Sequence, residues 1–185
     1  LIPALRTGTI DCIISSMTST SERARAIAFS EPYLRTGLTL LVGINAPISS
    51  ASDLTKPGIR IAVKKGTTAH QYASRELTKA HVFVLDKESA AVLEVTQGKV
   101  DAFIYDSLSV YRHHQRHLKT TRAILEPFRE ETWAIGLRKR DVALLKSINA
   151  FLVKFKKTGG FEKLGEEFLP KEKAYFKTIS IPFYF

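Results

Sequence analysis

Short apolar runs alternate along this chain with segments of helical period, and that alternation restricts the fold more than any other feature. Residues 10–15 read as a buried strand, 20–27 as a short helix and 38–42 as a second strand. A turn-rich stretch over residues 43–58, GINAPISSASDLTKPG, reads as a crossing between subdomains. Beyond it come a strand at 60–63, a helix at 69–79, a strand at 82–85, and a helix at 88–96 with Gly98 as its stop. A strand at 100–105, a helix at 107–116, and strands at 123–125 and 132–137 complete the series. Alternation of this kind dictates an α/β class with mainly parallel sheets. The last third is helical: Val142, Leu145, Ile148, Leu152 and Phe155 recur every three or four residues, Gly159 and Gly160 end that helix, and FEKLGEEFL forms a second. The tail after Pro170, which includes YFKTISIPFYF, reads as an edge strand or as a cover for exposed apolar surface.

Composition excludes several classes. With 44% hydrophobic residues, the 185-residue chain buries a core and is not disordered. Its net charge of +10 is scattered, and no nucleic-acid motif interleaves the clusters at 138–140, 154–157 and 112–119, so a basic soluble surface without a nucleic-acid partner is expected. Cys12 is the single cysteine, which rules out an intrachain disulfide and a cysteine-based zinc site; it reads as a small buried hydrophobe. His113, His114 and His117 fall near one side of a helix and read as a solvated face, with no metal or cofactor expected. No apolar run approaches the ~18 residues of a membrane span. The start, LIPALRTGT, has no cationic leader, so any signal peptide is expected to have been removed or to lie outside this sequence.

An internal echo organises the rest. RTGTIDCIIS at 6–15 and TQGKVDAFIYD at 96–106 both read as glycine, any residue, β-branched residue, aspartate, then an apolar strand ending in a polar residue. Two helix–turn–strand units in separate halves imply two lobes with a cleft, and open α/β sheets bind ligands at the carboxyl ends of their strands. Ser19 with Glu22, and Thr68 with Gln71, have the spacing of capping boxes, placing a helix amino terminus after each hydroxyl-rich stretch. Arg23 adds a planar fork of donors suited to a carboxylate.

The stretch GTIDCIISSMTSTSERARAIAFSEPYLRTGLTLLV closely resembles the signature of the polar amino-acid-binding proteins of ABC transporters, the bacterial extracellular solute-binding family. The similarity continues through IRIAVKKGTTAHQYASREL, GKVDAFIYDSLSVY and WAIGLRKRDVALLKSINAFLVKFKKTGGFEKLGEEFL, and leaves out only the final tail. The resemblance implies a two-lobed periplasmic-binding-protein-like fold with a hinge. Lobe one would be residues 1–42 and 138–185, and lobe two residues 43–137. It also implies roles. Arg23 would pair with the ligand α-carboxylate, helped by the amide and hydroxyl of Thr18, and the Ser16 carbonyl would accept from the α-ammonium. Thr67 and Thr68 would close on the carboxylate from the other lobe, and Asp106 would be the anion for the ammonium. Lys64 and Lys65 lie near enough in sequence to touch the ligand side chain.

The implied protein is a periplasmic or extracellular monomer, free or lipid-anchored, that hands an amino acid to a membrane permease. Family members begin with a strand and helix that precede Leu1 here, so the first lobe is expected to be incomplete. Three rivals follow. One is a cyclohexadienyl-dehydratase-like enzyme, for which Glu130 and Glu131 are the nearest general acids, both expected to be exposed. The others are a receptor sensor domain and a truncated remnant that binds nothing.

Overall fold

The computed structural model describes residues 1–183. In chain order the elements are α1 (Ile2–Thr7), β1 (Cys12–Ile13), α2 (Ser21–Ala24), β2 (Ala28–Phe29), β3 (Leu34–Gly43), β4 (Arg60–Lys64), α3 (Thr68–Glu76), β5 (His81–Leu85) and α4 (Glu88–Thr96). They continue with β6 (Ala102–Asp106), α5 (Ser107–Arg116), β7 (Thr121–Trp133), β8 (Gly136–Leu137), α6 (Val142–Lys157), α7 (Gly160–Phe168) and α8 (Pro170–Thr178). The chain divides into two compact units, residues 1–36 with 131 onward, and residues 37–130. The expected crossings lie at 42/43 and 137/138, whereas the units change at 36/37 and 130/131, inside β3 and β7.

In the first unit β8 lies between β1 and β2 and pairs antiparallel with both. Leu5, Ile13 and Ile27 are buried together beneath α1, and Ile135, Leu137, Leu152 and Phe161 make a second cluster. Cys12 packs against that second cluster, half-buried rather than fully buried. The tail is helical where a strand was one reading. Pro170 sits in the first turn of α8, a position that suits its fixed φ, and Phe176 is buried with its ring 5.6 Å from Phe183. Residues 184–185, the end of that tail, lie outside the described residues.

The second unit carries a five-stranded sheet in the order β5-β4-β6-β3-β7. Only β4 with β5 and β4 with β6 are parallel; β3 runs antiparallel to β6. The α/β class stands, but the sheets are mixed rather than mainly parallel. Leu38, Leu40, Val42, Ile61, Val63 and Ala102 bury one face of the sheet against Ala69 and Ala73 of α3. Leu41 and Phe103 are buried on the other, the continuous apolar pattern of strands covered on both sides. Residues 123–125 and 132–137, expected as two strands, become one long β7 followed by β8. Pro127 is accommodated in β7 because β7 is the edge strand of this sheet. The 43–58 segment lies within this unit rather than between the two. A 3-10 turn over Ala51–Thr55 holds it, with Ser50 and Asp53 in a reciprocal capping box and Leu54 buried.

The sequence echo is a structural one. Gly8 and Gly98 both take left-handed conformations, φ 85° and 68°, in which a side chain is unfavourable. After each, two successive amides return to one helix carbonyl: Thr9 and Ile10 to Ala4, Lys99 and Val100 to Glu94. Each turn therefore reverses the chain identically into β1 or β6.

Candidate functional site

Within the first unit, the hydroxyl-rich stretch after β1 runs antiparallel to the end of β7. Ser19 N–H donates to the Thr132 carbonyl at 3.0 Å, Ala134 N–H donates to the Met17 carbonyl at 3.0 Å, and Thr18 faces Trp133 between them. In such a non-hydrogen-bonded pair the N–H and C=O of the facing residue point away from the partner strand. The Thr18 carbonyl accordingly accepts from Arg23 Nη1 at 2.9 Å. Arg23 is the third residue of α2, whose start is capped by Thr20, the hydroxyl accepting from Arg23 N–H at 3.2 Å. The half-buried guanidinium has its pKa lowered by desolvation, an effect opposed by Glu131 and Glu22, and it stays charged. The Thr18 amide and the Arg23 guanidinium are thus two donors of the kind that can seat an anion.

Ser16 opens this stretch with φ 47°, unusual for a residue other than glycine. Its backbone N–H meets the hydroxyl of Tyr33, whose pKa is raised by burial. The Thr18 hydroxyl, expected to face a ligand, donates to Glu131 Oε2 at 3.0 Å. Glu131 is half-buried rather than exposed, unlike Glu130. Ser19 is not the cap of α2, because its hydroxyl is 3.0 Å from that of Thr132.

In the second unit the implied residues gather at the carboxyl ends of β4 and β6. The α3 cap is Thr67, one residue before the expected Thr68: its hydroxyl accepts from His70 N–H at 3.2 Å and donates to the Lys64 carbonyl at 2.7 Å. Thr68 begins the helix, where first-turn amides have no carbonyl four residues back. Asp106 caps α5, Oδ1 accepting from Ser109 N–H at 2.9 Å, and burial raises its pKa. Lys65 is exposed, 3.7 Å from Asp86.

Lys64 belongs to a chain of contacts that sequence reasoning missed. Its Nζ lies 3.5 Å from Tyr105 Oη and 3.9 Å from Glu88. His113 Nε2 lies 2.6 Å from Glu88 Oε1. The bond from His113, more than any other contact, lowers the Glu88 pKa against the opposing effect of burial. Burial first, then Glu88 and Asp106, raise the Tyr105 phenol, which stays protonated and bonds Glu88. The three histidines are therefore no solvated face: His113 holds Glu88, His114 Nδ1 lies 3.1 Å from Thr121 Oγ1, and His117 is half-buried. Among the described residues no group of three or more His, Cys, Asp or Glu side chains is placed to hold a metal ion.

Residues 1–171 match the model of the bacterial extracellular solute-binding proteins, family 3. The chain belongs to this family. An ABC transporter glutamine-binding protein of Bacillus subtilis (strain 168) is 31% identical over 173 residues, 94% of this chain; the chain spans 63% of that relative's length. The crystal structure of an ancestral amino acid-binding protein, a precursor of cyclohexadienyl dehydratase, is 37% identical with a TM-score of 0.80, over 90% of this chain and 72% of its own. A binding component of an ABC transporter from Wolinella succinogenes, solved with lysine, is 34% identical with a TM-score of 0.83, over 90% and 73%. All three are binding proteins, and the ancestral one is also the precursor of the dehydratase named in the rival reading. The family is extracellular, and no helix among the described residues is long and apolar enough to cross a membrane.

Proposed function

We infer that this family member captures a polar or basic L-amino acid and presents it to an ABC permease. The observation that carries the reading is the Thr18 amide turned away from β7 beside the Arg23 guanidinium. A backbone donor and a cation fixed on one loop suit an α-carboxylate. Asp106 and the Ser16 carbonyl would take the ammonium, and Thr68 would add an amide from the second unit. The two compact units, taken as lobes joined through β3 and β7, would close by hinge rotation, driven by the ligand's preference for the closed state. Lys64, already engaged by Glu88 and Tyr105, would border the ligand side chain.

Calorimetric titration of the chain with the twenty amino acids, beside Arg23→Ala, tests this. Saturable binding that weakens about a hundredfold or more in Arg23→Ala is expected, the loss typical of one partner of a buried charge-assisted pair. No binding by a chain shown to be folded would overturn it.

A further inference from the structure

We propose that Glu131 is a specificity-determining residue of the anion seat, favouring zwitterionic and cationic amino acids over anionic carboxylates; this deepens the reading above and rests on it. Thr18 faces Trp133, and side chains repeat every second residue along a strand, so Glu131 projects on the same face, diagonal to Thr18. Its Oε2 is held by the hydroxyl of Thr18, a residue only 7% exposed, so the carboxylate is fixed at the seat. It also acts electrostatically on Arg23, as does Glu22, which is exposed.

The seat therefore holds a cation and an anion before any ligand arrives. A simple carboxylate gains less from Arg23 than it would from an uncompensated guanidinium, and Glu131 repels it. An amino acid brings an ammonium group that repays Glu131, and a second cation on its side chain is attracted further. An acidic side chain adds repulsion. In a half-buried site with an effective dielectric constant near ~20, charges a few ångströms apart discriminate strongly.

Glu131→Gln separates charge from scaffolding, because the amide oxygen still accepts from the Thr18 hydroxyl. Calorimetry on the whole chain with L-lysine, L-glutamine and L-glutamate is expected to show the lysine-over-glutamate preference falling about tenfold or more in Glu131→Gln, the scale of one lost charge contact. An unchanged preference in Glu131→Gln overturns this proposal alone. Failure of the wild-type chain to bind any of the three overturns both this proposal and the amino-acid reading beneath it.

Discussion

Arg60 closes on Asp101 with three donors: its backbone N–H at 2.7 Å, Nη2 at 2.6 Å and Nε at 3.2 Å. The pair ties the start of β4 to the turn that enters β6, and its counterpart in the first unit is Arg138 Nη2 on Asp11 at 2.8 Å. The aspartate of the repeated sequence echo is therefore an arginine acceptor in both units. Asp101 is buried and Asp11 exposed, so the two pairs differ in what they contribute.

Asp101→Ala leaves the Arg60 amide without its acceptor and is expected to destabilise the chain by about 1–2 kcal/mol, since the half-exposed Arg60 guanidinium regains water. Thermal unfolding should show a midpoint lower by several degrees. Burial alone would raise the Asp101 pKa, but the bonds from Arg60 hold it below the usual value. A depressed acid stabilises above its unfolded pKa, about 3.9, and loses that contribution as pH falls through its folded value. The gap between wild type and Asp101→Asn should accordingly narrow as pH drops below about 4. A gap that is constant with pH would show that charge plays no part.

Gly98→Ala places a side chain at φ 68° with no heavy atom within 4 Å, so its cost is purely conformational. About 1 kcal/mol is expected, read as a shift in the denaturant midpoint with an unchanged slope. A much larger loss would point to contacts that the turn geometry does not contain.

The sequence made the helices 88–96 and 107–116 legible to the residue, because glycine and aspartate punctuate them. The resemblance named Arg23 and Thr18 together, and the structure brings the Arg23 guanidinium to the Thr18 carbonyl. Strand direction was not legible: β3 is antiparallel to β6 although both lie among βα units, and nothing local to Leu38 or Ala102 encodes that. The caps were misplaced by one residue because Ser19 and Thr20, like Thr67 and Thr68, are chemically equivalent candidates. Pairing with Thr132 decides the first, and the Lys64 carbonyl the second. Glu131, expected as an exposed acid, is brought beside Thr18 by the Thr18–Trp133 register, which no local pattern encodes.

Tyr33→Phe removes the hydroxyl that meets the Ser16 N–H, in a stretch whose φ of 47° needs support. Losing one such bond is worth about 1 kcal/mol, so amino-acid affinity should fall roughly fivefold. Hydrogen exchange at residues 16–19 should quicken while that of β4 and β6 is unchanged. Unaltered exchange at 16–19 would mean that the β7 pairing alone holds the loop.

Glu88 gathers His113, Tyr105 and Lys64 around one carboxylate whose pKa is held down chiefly by His113. Because its folded value lies below the unfolded one, Glu88 stabilises the chain above about pH 4.3 and loses that contribution as pH falls through its folded value. Glu88→Gln is expected to cost about 1.5–3 kcal/mol at pH 7, the range for a hydrogen bond to a charged group. Unfolding curves for the two proteins should converge as pH drops below about 4. The same substitution releases Lys64 from its nearby acid, while the amide oxygen still accepts from the Tyr105 hydroxyl. If Lys64 then reaches a ligand side chain, affinity for L-glutamate rises and that for L-lysine falls while Arg23 is untouched. An unchanged ligand profile alongside lost stability would confine Lys64 to the Glu88 cluster.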